Sequence, residues 1–176
     1  MSVLSRLLGR KGETAKKTEA LFQSINAQSR NAAFYLTGRV PDTFDGRFEV
    51  FALHASLVLE RLKQDGPEGT QVAVKLHKKM YDIFEYALRE DGAGDMTIAK
   101  KMRRLAESFE GRLKSYSNAA DDEEMWSDAL GRNVLSGASN LFLPPLTAYA
   151  LDARKRLANK DAEQLISSAI EWPELL

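Results

Sequence analysis

The chain contains no cysteine, which removes disulfides, thiolate metal sites and thiol nucleophiles together and suits a reducing compartment. Histidine is nearly as scarce. His54 and His77 are the only two; a helix break separates them, and no His-Glu-x-x-His motif or carboxylate grouping at metal-ligand spacing accompanies either one. A Gly-x-Ser-x-Gly elbow is missing too. Gly92-x-Gly94 lacks both a preceding strand and a third glycine, so it reads as a turn and not as a dinucleotide site. These absences exclude the common catalytic and cofactor-dependent classes. The expectation is a protein that is not an enzyme and needs no cofactor.

Long apolar runs are also absent. None approaches the roughly 20 residues that span a bilayer, and the start lacks the apolar core and cleavage site of a secretory signal. Charge of one sign is missing as well: 25 basic residues balance 25 acidic ones. Attraction to nucleic acid or anionic lipid must therefore come from local patches rather than from the field of the whole molecule.

What the sequence does contain is helical periodicity. With 176 residues, 44% of them hydrophobic, it can fill one core. The expected fold is all-α, a single compact domain of six to seven helices over residues 13–176, preceded by a basic amphipathic or flexible segment over residues 1–12. In that segment Val3, Leu4, Leu7 and Leu8 share one helical face, while Arg6, Arg10 and Lys11 lie outside it. Such a pattern suits peripheral contact with an anionic membrane.

The spacing predicts a first helix over about Thr14 to Ala33, with Leu21, Phe22 and Ile25 inward. A second, over about Thr43 to Gln64, carries Phe44, Phe48, Phe51, Ala55, Val58 and Leu62 at alternating steps of four and three, so Phe44 opens its buried face. Asp42 or Thr43 can cap it. After a break over Asp65 to Gly69, a third helix follows through Val72, Leu76, Met80, Ile83, Phe84, Ala87 and Leu88. Asp95 or Thr97 can cap a fourth, with Ile98, Met102, Leu105, Phe109, Leu113 and Tyr116 inward. Gly111, inside it, is read as permitting close approach of a neighbouring backbone. A fifth helix begins at the acids of residues 121–124 and buries Met125, Trp126, Ala129, Leu130 and Val134. The sixth opens at Pro144 and Pro145. A seventh starts at a capping box formed by Asp161 and Gln164.

Several ordered motifs carry a resemblance: Phe34-Tyr35, Val40-Pro41-Asp42-Thr43, Asp45-Gly46-Arg47-Phe48, Leu53-His54, Arg61-Leu62, Leu88-Arg89-Glu90, Gly92-Ala93-Gly94-Asp95, and Gly111-Arg112 with Tyr116. In this order they resemble the ubiquinol-cytochrome c chaperone family, whose pattern is expected to cover roughly residues 20–135. The resemblance implies a non-enzymatic assembly factor for the cytochrome bc1 complex, respiratory complex III, that binds newly made cytochrome b or another bc1 subunit. Mitochondrial family members work with a small helical partner and contact the ribosome. A mitochondrial transit peptide would also be basic and acid-poor, but the family pattern begins too soon after the start, so the expected location is a bacterial cytoplasm, at the inner face of the inner membrane, with a mitochondrial location as the alternative.

Within these motifs Phe34, Tyr35, Pro41, Asp42, Phe44, Arg47, Arg89, Asp95, Arg112 and Tyr116 are the partner-binding candidates. Arginines beside glycine and aromatics can fork onto carboxylates and lock helix ends. The three aromatics can anchor an apolar client helix if exposed, and are core if buried. A basic patch, Lys100, Lys101, Arg103 and Arg104, marks the fourth helix, where six bases face three acids between Asp95 and Tyr116. It leaves open a helical protein that binds nucleic acid or the ribosome, with no DNA partner expected. A third alternative, a binder of lipid or another small hydrophobic ligand, would show an enclosed apolar cavity.

Overall fold

The computed structural model describes residues 3–90, 94–136, 140–167 and 170–175, and among these every regular element is helical. The order is α1 (Val3–Ser29), a short 3-10 turn (Ala32–Tyr35), α2 (Phe44–Gln64), α3 (Gly66–Glu90), α4 (Asp95–Ala119), α5 (Glu123–Asn133), a second 3-10 turn (Asn140–Phe142), α6 (Leu143–Ala158) and α7 (Ala162–Ser167). The all-α expectation holds. The turns expected over residues 91–93 and 137–139 lie outside the described residues.

Helix α2 is the pillar of the domain, and α1, α3, α4 and α6 pack around it. Every side chain from Phe48 to Leu59 is buried, so this stretch is apolar on nearly all sides, as a fully enclosed helix must be. Its polar members have partners. Ser56 Oγ donates to the Ala52 carbonyl at 2.6 Å. His54, with no exposed surface, places Nδ1 2.7 Å from the Val50 carbonyl and Nε2 2.7 Å from Tyr149 Oη on α6. Tyr149 Oη also accepts from Gln28 Nε2 of α1 at 2.9 Å. The rings of Phe34, Tyr149 and Trp172 wall the imidazole in edge to face.

Local chemistry sets the boundaries. Thr43 caps α2, its Oγ1 accepting from the Gly46 N–H at 3.1 Å. Asp122 caps α5 and Asp161 caps α7, the latter in the reciprocal box with Gln164. Prolines stand in the first turn of α6, where the missing N–H costs nothing.

Several boundaries differ from expectation. Helix α1 starts at Val3, running without interruption through the boundary drawn after residue 12, and stops at Ser29. The break before α3 shrinks to Asp65, because Gly66 turns at φ +68° and Pro67 is tolerated in a first helical turn. Neither Asp95 nor Thr97 caps α4: Gly94 is the cap residue, and its carbonyl receives the Thr97 and Ile98 amides. Gly111 meets nothing within reach of an added Cβ; the close approaches are Gly46 against the Pro41 carbonyl and Gly69 against the Leu62 carbonyl. Met125 is 44% exposed and Phe44 is 60% exposed, so neither joins the core. His77 stacks on Phe109 and meets the edge of Tyr81.

Burial pushes the His54 imidazole down to about 4, so the folded state holds it neutral while an unfolded chain protonates it near 6.5. Between those values the unfolded state binds more protons, and stability falls as pH drops. The loss from this group amounts to about 3 kcal/mol by pH 4. Urea unfolding of wild type and His54→Gln across pH 4 to 7 checks it: the gap between the two should narrow as the medium is acidified.

Candidate functional site

A groove of about 980 Å³ opens between the start of α2, one face of α4 and the end of α5. Its apolar lining comes from Phe44, Phe48, Leu88, Leu105 and Val134, and its cations are Lys101, Arg104, Arg112 and Arg132. The groove is open to solvent, unlike the enclosed cavity a lipid carrier would need. On α4 the lining positions Lys101, Arg104, Leu105, Ser108 and Arg112 follow steps of three and four, which is one helical face.

The α2 wall is built by the preceding turn. Val40 is buried and its N–H donates to the Phe34 carbonyl at 3.0 Å, pinning the turn to the core. Gly46 then lets the first turn of α2 sit against the Pro41 carbonyl, where any Cβ would collide. Phe44 follows the Thr43 cap and is held outward. Asp42 leaves the capping to Thr43 and instead takes Arg47, with Nε at 2.6 Å and Nη2 at 3.2 Å from its two oxygens. That hydrogen-bonded guanidinium holds the Asp42 carboxyl below its ordinary range. Arg47 also lies over the Tyr35 ring at 5.6 Å. Tyr35 Oη donates to the Ser29 carbonyl, and burial pushes this phenol up to about 12.

At the base of the groove Arg112 forks onto Glu49 of α2, Nη2 to Oε1 at 2.5 Å and Nε to Oε2 at 3.0 Å. The pair is largely desolvated, with 25% and 10% of the two side chains exposed. Fork geometry of this kind fixes the angle between α2 and α4. Hydrogen bonding to Glu49 raises the Arg112 guanidinium above its ordinary value.

The partner-binding candidates therefore divide. Pro41, Phe44 and Arg112 line the groove together with Lys101 and Arg104 of the basic patch. Tyr35, Asp42 and Arg47 form their own cluster around the turn that sets the α2 wall. Phe34 and Tyr116 have no exposed surface: Phe34 packs on His54 and Tyr149, Tyr116 stacks on Trp126 at 5.1 Å, and neither presents anything to a partner. Arg89 pairs with Glu85 on the surface of α3. Asp95 begins α4, and its side chain lies outside the described residues. In the basic patch, Arg103 is turned onto Glu107 and Lys100 is exposed without lining the groove. Sequence reasoning did not connect Glu49, Ser108 and Arg132 to the site. The α4 members could have been found by continuing the Lys101–Arg104 spacing to Ser108 and Arg112, whereas α5 enters only through tertiary packing.

Residues 37–172 match the family model described as ubiquinol-cytochrome C chaperone. The chain belongs to that family. The matched region starts after Phe34-Tyr35 and continues well past residue 135, so α5, α6 and the segment after α7 are part of the family pattern. Among its relatives, the ubiquinol-cytochrome-c reductase complex assembly factor 1 of Xenopus laevis is 28% identical over 147 residues, which cover 81% of this chain and 74% of that protein. The mouse protein of the same description is 29% identical over 98 residues, covering 56% of this chain and 32% of its own length. The crystal structure of the Cbp3 homolog from Brucella abortus superposes with a TM-score of 0.87 at 29% identity, covering 99% of this chain and 98% of that one. Among the described residues no helix is long and apolar enough to cross a membrane.

Removing Arg112 alone strands Glu49 in a poorly hydrated site. Arg112→Met should cost about 3 kcal/mol, the low end for a broken buried pair, because the site is not fully sealed. Glu49→Gln combined with Arg112→Met should recover part of that loss. Guanidinium titrations of the two single variants and the double variant provide the comparison.

Proposed function

We propose that this chain is a non-enzymatic assembly factor of the ubiquinol-cytochrome c reductase (cytochrome bc1) complex, and that its groove shields an apolar segment of a newly made subunit, cytochrome b foremost. Family membership and the similarity to animal ubiquinol-cytochrome-c reductase complex assembly factors support the bc1 assignment. The observation that carries the groove as the binding site is Phe44. The spacing of the α2 stripe puts it on the buried face, yet it stands 60% exposed at the groove wall, held there by a capped turn and by a glycine contact. An aromatic so placed offers contact area at little conformational cost, which is what an interface anchor supplies.

Contact rather than bond-making suits the surroundings. His54 is sealed inside the domain and His77 lies between α3 and α4, both away from the groove, while Glu49 is engaged by Arg112. On this reading the protein works at the inner face of a bacterial inner membrane, where its client is inserted. Contacts of residues 1–12 with anionic lipid, and of the basic α4 face with the ribosome, are extensions of the same proposal.

Affinity capture from detergent-solubilised membranes with mass spectrometry tests it. Wild type should recover cytochrome b or another bc1 subunit, and Phe44→Asp should recover about tenfold less with an unchanged thermal transition, since an exposed side chain contributes little to stability. An absence of bc1 subunits from the wild-type capture, together with normal complex III in a deletion strain, would overturn the assignment.

A further inference from the structure

The charges around the groove are lopsided in a way the fold does not require. Four cations line it against two carboxylates, Asp45 and Glu49. Arg112 is consumed by Glu49, and Asp45 sits in the first turn of α2, where the helix dipole already favours a negative charge. Arg132 reaches Asp128 only at 3.8 Å, with both side chains about two-thirds exposed. Lys101 and Arg104 are exposed and have no acidic partner among the described residues. Their neighbour Arg103 does have one, Glu107 one turn away. Among the described residues, the two groove cations left unpaired are thus the ones that border the apolar lining of Leu88, Leu105, Phe48 and Phe44.

From Lys101 to Arg112 the lining face of α4 runs about 16 Å, or about three helical turns. Lys101 and Arg104 stand three residues apart on it, the spacing at which a facing helix can present carboxylates three or four residues apart along one edge. We infer that the groove takes an amphipathic helix of about three turns whose apolar stripe packs on Phe44 and Leu105 and whose acidic edge meets Lys101 and Arg104. This rests on the groove being the protein's binding site, and it adds the chemistry by which a partner is chosen. Apolar contact supplies holding strength, and the cation pair discriminates among partners and speeds their capture. An apolar segment without an acidic edge would gain the packing contacts alone, and a basic one would be repelled.

The test uses the full chain and two labelled peptides of about 15 residues, each with a leucine stripe, one bearing glutamates along the stripe's edge and the other lysines at the same places. Fluorescence anisotropy should show the glutamate peptide binding about tenfold more tightly. Its affinity should fall as salt rises. Lys101→Glu with Arg104→Glu should reverse the preference, both changes being on exposed positions that leave the circular dichroism spectrum intact. Equal affinity for the two peptides, or a preference that survives the double substitution, overturns the acidic-helix proposal. If binding is equal but still falls with Phe44→Ala, the groove stands as the site and only its charge selectivity fails. If Phe44→Ala changes neither peptide, the groove itself is refuted. Single-stranded RNA binding more tightly than the glutamate peptide, and competing with it, would assign the cations to phosphates instead.

Discussion

Enclosing α2 on every side is the constraint from which the other features follow. An apolar helix surrounded by four others leaves each of its polar groups to be satisfied by protein, since unpaired polar atoms in such a setting cost about 1–3 kcal/mol each. The His54, Ser56 and Glu49 contacts are the three answers, and each fixes something different. Ser56 bonds back into its own helix. His54 reaches across to α6 and, through Tyr149, to α1. Glu49 faces the end where enclosure stops, and its fork to Arg112 sets the spread between α2 and α4 that makes the groove.

The groove is therefore a continuation of the core and not a feature added to it. Phe48 and Leu88 are buried core residues whose outer surfaces form the floor, and Phe44 is one turn beyond the last sealed position. A related economy appears at the opposite end of the pillar. There Arg154 of α6 bonds Glu60 of α2 at 2.7 Å and Asp121 of the α4–α5 turn at 3.1 Å, closing that end with ion pairs.

Much of the fold was legible in the sequence because helical stripes and capping residues act locally. Apart from Phe44, the stripes of α2, α3 and α4 fall on buried or partly buried faces, and the Asp161–Gln164 box formed as its spacing implied. Errors gathered where local rules compete with neighbours. Pro67 looked like a break but sits where a helix accepts proline. Gly111 looked like a close-packing site but faces open space, while Gly46 and Gly69 make the approaches. The site was legible only in fragments: Pro41, Phe44 and Arg112 belonged to motifs, but joining them to Lys101, Arg104 and Arg132 depends on how α4 and α5 cross α2, which no local spacing encodes. Phe44 is the instructive residue, since its departure from its own stripe is visible only in three dimensions.

Trp172 adds an order to the making of this molecule. Its ring closes over His54 at 4.8 Å and its indole N–H reaches Ser24 Oγ at 3.2 Å, so a residue far along the chain completes the chamber around the middle of the pillar. Both Tyr149 and Trp172, which cover the imidazole, lie beyond α5 in the chain, whereas the groove's walls come from α2, α4 and α5. The groove is thus assembled from nearer neighbours in sequence, while the chamber around the central histidine depends on contacts of long sequence separation, the kind that slow folding.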